Sequence, residues 1–397
     1  MSQSHKNQSN PSAKKTSIGG QALIEGVMMR GPFVTAMAVR HTSGNIVLEQ
    51  WETQGKNRPK WMKVPLIRGV VGMIDSMIFG YKCLMRSAEL SGLDAEEDAE
   101  KEARRAKKAA KKAAHAGAPI ASSVSAEATI STADAVSATD APPVADAPLA
   151  AEGALADDAV DEVIASTVAQ PAAPSKPEPK PVEKFFFSLA MVFSTVLGVA
   201  IAVVLFMWLP TFLYNNVLKT LIPALADGFR WVQSVVEGVM RLALFLGYVM
   251  LISCMKDIRR VFMYHGAEHK SIFCYEHGLP LTVENVRKQS RFHPRCGTSF
   301  LVLSLIVGVL VSMCIPIYDN TLLRVVVKLL MLPLVVGIGY ELIKLAGRRD
   351  DAFTRIISKP GMWVQHITTK EPDDGMMECA IKALEAVIPD DPEADKW

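Results

Sequence analysis

At 397 residues the chain has room for two or three domains, and half of its residues are hydrophobic, giving a mean hydropathy of +0.20 that is high for a soluble protein. Lys and Arg total 43 against 41 Asp and Glu, a formal net charge of +2, so overall charge predicts no nucleic-acid partner. Six cysteines with no C-x-x-C spacing argue against a disulfide framework and for a reducing, cytoplasmic setting.

Residues 1–17 are polar, lack the apolar core of a signal peptide and read as a disordered leader. From Ile18 to residue 92 the pattern is structured. A strand is expected after Ile18, and the β-rich runs Val34–Arg40 and Ile46–Glu52 flank Thr42-Ser43-Gly44-Asn45 as a hairpin. Glu25 and Arg30 in this region are candidate functional residues, although a strand-edge role is the simpler reading of each. Residues 64–90 read as a helix with Pro65 in its first turn. Arg68, Asp75, Lys82, Arg86 and Glu89 fall on one stripe of that helix. The remaining faces are apolar, which predicts a helix lying in a membrane interface or packed on other helices.

Residues 93–184 change character abruptly. An acidic-then-basic helix former gives way to an Ala/Pro/Ser/Asp tract with almost no aromatic residues. Such a segment buries too little apolar surface to offset its chain entropy, so the sequence predicts a disordered insert acting as a spacer.

Residues 185–346 contain four apolar runs. Phe185–Leu209 is 25 residues without a charge, long enough to cross a bilayer at about 1.5 Å per residue. Val235–Met255, Ser299–Ile317 and Leu322–Leu345 follow, with Glu237 and Arg241 near the start of the second run and Lys328 and Glu341 as the chief charges of the last. Lys and Arg crowd the segment between the second and third runs and the residues just outside the first and fourth. The positive-inside rule then places both termini and the 256–298 loop in the cytoplasm of a multi-pass inner-membrane protein. The fold class expected is mainly α: about four transmembrane helices, with a small N-terminal β-hairpin and helix region. Residues 347–397 read as a cytoplasmic helical tail.

The 256–298 loop carries the densest chemistry. It holds four of the eight histidines, His265, His269, His277 and His293, together with Cys274 and Cys296. His265-Gly266-Ala267-Glu268-His269 matches H-x-x-E-H, in which imidazoles four apart share one helix face and can reach one metal ion. Glu268 is then placed as the general base. Gly266 weakens the helix that the motif needs. Downstream, His293-Pro294-Arg295-Cys296 adds an imidazole and a thiol, so His265, His269, His293 and Cys296 form a candidate set for a divalent metal, zinc by ligand type. Glu276, His277, Glu341 and Arg295 are further candidates. Gly278 reads as a helix C-cap and Thr282 as the N-cap of a short helix, Val283–Gln289, which can fold the second half of the loop back on the first. The bland alternative is an amphipathic surface beside membrane spans, its arginines only setting topology.

The segments IGGQALIEGVMMRGP, RPKWMKVPLIRGVVGMIDS, RRVFMYHGAEHKSIFCYE, LTVENVRKQSRFHPRCGTSFL and GYELIKLAG resemble the YqhQ-like family of bacterial integral membrane proteins. The resemblance covers nearly all of the chain except the leader and the insert. It implies an inner-membrane protein of a family described as predicted metal-dependent enzymes, with the N-terminal and histidine motifs acting together. Two functions follow as expectations. The first is a metal-dependent enzyme, of hydrolase type, acting at the cytoplasmic face. The alternative is a non-enzymatic scaffold or assembly factor that binds a protein partner or anionic membrane lipid; on either reading the expected partners are membrane lipid and a protein partner or a second copy of the chain.

Overall fold

The computed structural model describes residues 14–53, 59–93, 104, 181–223, 230–316, 320–348, 351–391 and 393–396. Residues 1–107 and 196–397 form one compact unit; 108–195 form another, whose described part is helix from Pro181. The Ala/Pro-rich spacer and most of the polar leader therefore lie outside the described residues. The described part is mainly helical with one small antiparallel sheet.

That sheet is a four-stranded meander of β1 (Gly19–Leu23), β2 (Gly26–Arg30), β3 (Val34–Arg40) and β4 (Ile46–Glu52). The expected hairpin is β3–β4, paired from Val34↔Glu52 to Arg40↔Ile46. The preceding run is two strands, because Ile24-Glu25 makes a tight turn that pairs Leu23 with Gly26. Glu25 takes φ 51° there, a left-handed value uncommon outside glycine. Alternation along the strands then assigns residues to two faces. Val27, Met29, Ala36 and Ala38 bury one way; Leu23, Met28, Met37 and Val39 bury the other.

Both faces are covered. Helix α1 (Ile67–Ser91) lies on the second face through Phe79, Cys83, Leu84 and Leu90, with Gly80 letting Gln21 approach. Ile67, Ile74, Met77, Ile78, Tyr81 and Met85 remain on its exposed side. A bidentate Arg68–Glu341 ion pair anchors the start of α1 to a later helix.

The apolar helices follow. α2 (Pro181–Val203) runs on through a π turn at Val204–Trp208, one α turn, a second π turn at Tyr214–Leu218 and a last turn to Leu221. α3 (Arg230–Ser253) comes next. Val192–Leu221 and Trp231–Ser253 are long and apolar enough to cross a membrane. The first run thus extends twelve residues beyond Leu209, where the sequence reading had ended it.

After α3 the chain forms α4 (Lys256–Glu276), α5 (Val283–Arg287) and α6 (Gly297–Met313). α6 is apolar but has only 17 residues. The fourth run is broken at Met331 into α7 (Thr321–Leu330) and α8 (Leu332–Arg348), bent by 44°, so it is either one broken span or a re-entrant pair. Two or three candidate spans are therefore present among the described residues, against the four expected. α9 (Ala352–Thr368) packs along α6, and α10 (Asp374–Glu385) packs on the first face of the sheet beside α4. The tail thus contributes Met376, Met377, Cys379, Ala380 and Leu384 to the main core.

The ends of this unit are clasped together. Thr16 donates to Asp395 Oδ2 at 2.7 Å, Lys14 forms an ion pair with Asp395, and Thr16 bridges to Lys396. The last residues assigned to a free leader are therefore ordered.

Candidate metal centre

The site is assembled on α4, a 21-residue helix that replaces the first half of the expected loop. Gly278, at φ 66°, closes that helix, and Thr282 Oγ1 caps α5 by accepting from the Asn285 N–H at 3.3 Å. The turn between them brings the 289–296 segment back across α4, as the cap residues predict. Gly266 has a different use from the one composition suggests. A Cβ there would lie 2.1 Å from the Lys370 carbonyl oxygen, so its absence lets the segment that follows α9 cross α4. The Lys370 N–H donates to Phe262 O at 2.8 Å in the same crossing.

That crossing supplies one of two anchors. His265 Nδ1 donates to the Thr368 carbonyl at 2.9 Å, and His269 Nδ1 donates to the Arg291 carbonyl at 2.6 Å. Both rings thereby turn Nε2 to the same side, the arrangement that orients imidazole ligands in metal sites. Cys296 completes the group, its Sγ 3.2 Å from His265 Nε2. The three ligand atoms lie within 4.8 Å of one another. A tetrahedral zinc would need them about 3.3–3.7 Å apart, a small adjustment. His269 Nε2 and Glu268 Oε2 are buried and make no hydrogen bond. A buried donor set left unsatisfied in this way fits a bound cation.

The electrostatics agree. Burial opposes the ionised thiol of Cys296, but the His269 and His265 rings beside it pull it well below the ordinary thiol range. Burial likewise disfavours a charged His265, but the Cys296 sulfur raises it to about 9. Burial raises Glu268, against the pull of both imidazoles and the Gly20 N–H. β1 therefore touches the site directly. A Cβ on Gly20 would fall 2.9 Å from Glu268 Cδ, so this glycine admits the carboxyl.

The other candidates are placed elsewhere. His293 is buried but turns its Nε2 towards Glu276 Oε2, at 3.7 Å, and its backbone N–H donates to Gln365 Oε1 at 2.8 Å. Its ring lies 5.5 Å from that of His269, beside the three-ligand group and outside it. Burial, with Arg295 and His269 nearby, lowers His293 to about 4 despite Glu276. Arg295 and Glu276 form a buried ion pair, and Glu276 also accepts from the Thr16 N–H at 2.9 Å. Burial alone would raise Glu276, but His293, Arg295 and Thr16 hold it below the usual carboxylate range. His277 is bonded to Gln289 and stacked on Phe273. Glu341 is taken by Arg68. Glu25 grips Arg260 through two 2.5 Å contacts and accepts from Tyr264 OH at 3.2 Å, bracing α4 against the β1–β2 turn. Arg30 lines a cavity of about 330 Å³ between the sheet and α1, with Gly19, Gln21, Ser76 and Phe79.

Sequence reasoning missed Thr368, Arg291 and Gly20, which act through backbone atoms or by lacking a side chain. It also missed Gln365, fully buried between His293 and Ser299. Only the Gly19-Gly20 doublet leaves a visible trace in the sequence.

The family described as "Protein of unknown function (DUF1385)" matches residues 64–390. The "Uncharacterized protein YqhQ" of Bacillus subtilis (strain 168) is 31% identical over 382 residues, covering 93% of this chain and 92% of that relative. No solved structure matches. With most of its length matched on both counts, the chain belongs to the YqhQ-like family.

Proposed function

We propose that this is a multi-pass inner-membrane protein with a divalent-metal centre of the zinc class, held at its cytoplasmic face by His265, His269 and Cys296 and used for hydrolysis. The observation that carries the reading is the pair of imidazoles locked by backbone carbonyls, with the His269 Nε2 buried and unpartnered. Three protein ligands leave a fourth position open, as catalytic zinc sites do. Such an ion supplies Lewis-acid chemistry there, polarising a carbonyl or phosphoryl oxygen and acidifying water.

The chain's own residues do the rest. Glu268, buried and unpaired at Oε2, takes a proton from the attacking water and returns it to the leaving group. Its raised proton affinity suits both steps. Gly20 keeps its carboxyl close, and the Glu276–Arg295 pair fixes His293 as a wall of the site. The membrane placement rests on the apolar helices, with α6 and the bent α7–α8 pair as third and fourth spans. The exposed apolar side of α1 then lies in the membrane interface.

Elemental analysis of detergent-purified protein tests the centre. About one metal ion per chain is expected, and His269→Ala removes it. A metal-free wild type that keeps its fold and its cellular role would sink the proposal.

A second reading, a non-enzymatic scaffold, is favoured by that same bare face of α1, which would seat a partner. Glu268→Gln separates the two. A scaffold tolerates it; a hydrolase does not.

A further inference from the structure

A second group of charged side chains lies among the apolar helices, at the other end from the histidines. Glu237 sits on α3, seven residues or about 10 Å in from Arg230. It forms an ion pair with Lys328, accepts from Gln233 Nε2 at 2.9 Å and has Arg324 Nε at 3.2 Å. Lys328 also donates to Thr211 Oγ1 at 3.0 Å. Arg241, one turn after Glu237, is close enough to feel both Glu237 and Arg324, and its Nε donates to Phe206 O at 2.8 Å. Cys296 caps the first turn of α6, while Ser312 at the opposite end accepts from Ser234 on α3 at 3.1 Å. The 17 residues of α6 thus separate the two sites by about 25 Å.

The charges do not balance. Among the described residues three cations, Arg241, Arg324 and Lys328, face one carboxylate. Arg324 is only 1% exposed, and its Nε and Nη1 make no hydrogen bond. Leaving a buried guanidinium unsatisfied among apolar helices is costly, and ionisable groups in such positions mark binding sites. The backbone is irregular at the same place. Thr211 lies between the two π turns, and the break at Met331 follows Lys328 by three residues. Interrupted helices converging on buried charges are a general design for sites within membranes.

We infer that Arg324, Lys328 and Arg241 form a binding site for a phosphate-class oxyanion, with Glu237 occupying part of it as an internal counter-ion. Two excess positive charges and a buried guanidinium whose Nη1 has no acceptor match the charge and the donor needs of a phosphate group. Arg241, half-buried where the others are enclosed, gives access from the helix surface. The ligand is either the headgroup of an anionic lipid or free phosphate; the chemistry is shared.

The full-length protein in neutral detergent tests this. Native mass spectrometry with phosphatidylglycerol, against a glucosyl diacylglycerol that lacks phosphate, gives the lipid arm. Calorimetric titration with inorganic phosphate gives the free-anion arm. Retention of the phospholipid but not the glycolipid identifies a headgroup site, and heat with phosphate identifies a free-anion site. Arg324→Gln weakens whichever is bound by about ten-fold or more. Arg241→Gln, at the less enclosed edge, weakens it also if the first variant fails to fold. Glu237→Gln strengthens it by removing the competing carboxylate, whereas in a purely structural ion-pair network it only lowers stability. His269→Ala leaves binding intact, so this outcome is separate from that of the metal centre. A wild type that holds neither probe, or a Glu237→Gln variant that binds less, overturns the inference.

Discussion

His265 Nε2 and Cys296 Sγ stand 3.2 Å apart, although 31 residues and a complete helix–turn–helix excursion separate them in the chain. The contact exists because α4 ends at Gly278, α5 turns the chain, and Cys296 then caps α6 with its own sulfur. In the proposed centre a thiol held there is a ligand, and its lowered proton affinity sets it apart from the other buried thiols Cys83 and Cys379. Burial pushes Cys83 up to about 11 and Cys379 up to about 12, and Cys379 Sγ donates to Ala38 O. In chelator-treated protein, maleimide labelling followed by peptide mass spectrometry should find Cys296 modified ahead of Cys83 and Cys379. Adding zinc back should protect it. Labelling indifferent to zinc would argue against Cys296 as a ligand.

Gly266→Ala should act against ordinary helix propensity. In an open helix this change adds stability, by roughly 1 kcal/mol. Here the new methyl meets Lys370 O at 2.1 Å, and backbone must move. A loss of about 2 kcal/mol or more is expected in denaturant unfolding. The Thr368 anchor of His265 is displaced with it, so metal affinity falls as well. A variant as stable as the wild type would mean that the 368–372 segment is free to shift.

Arg295 and Glu276 are buried together, so removing only one is the costly change. Arg295→Met leaves an uncompensated carboxylate and should destabilise the protein by about 3 kcal/mol. Arg295→Met with Glu276→Gln should recover much of that loss. Equal instability in single and double variants would show that the pair contributes packing more than charge compensation.

The clasp between residues 14–18 and Asp395 should open in acid. Burial would raise Asp395, but Lys14, Thr16 and Tyr275 hold it below the usual range; Glu276 is depressed in the same direction. A carboxylate with a depressed folded pKa contributes stability above its unfolded pKa, about 3.9 for Asp and 4.3 for Glu, and loses it as pH falls through the folded value. Hydrogen exchange of residues 14–18 should therefore stay slow, relative to intrinsic rates, near neutral pH and accelerate below about pH 4. Asp395→Asn should leave that segment open throughout. Opening on raising the pH from 5 to 8 would contradict the assignment.

What could be read from the sequence was local. The Thr42–Asn45 turn, the Thr282 cap, the Gly278 stop and the i, i+4 histidines each declare themselves within a few residues. The apolar runs announced their helices, but not the π turns at Val204 and Tyr214; the bend at Met331 has its cause in Pro333, which has no N–H to continue α7. Glu341 was a candidate ligand until its partner, Arg68, proved to come from 273 residues earlier. His293 belonged to the expected set by spacing alone; Gln365 and Glu276 decide where it points. Carbonyl anchors such as Thr368 and Arg291 leave no side-chain signature. The second charged group was visible only as scattered residues on separate runs, and tertiary packing is what gathers them.

The central claim is that His265, His269 and Cys296 share one metal ion. Elemental analysis of protein purified in detergent, wild type beside His269→Ala, tests it most directly. About one equivalent of zinc or a similar ion in the wild type, absent from an equally well-folded variant, is the predicted result. A folded wild type with no stoichiometric metal, or a variant that retains it, would contradict the account.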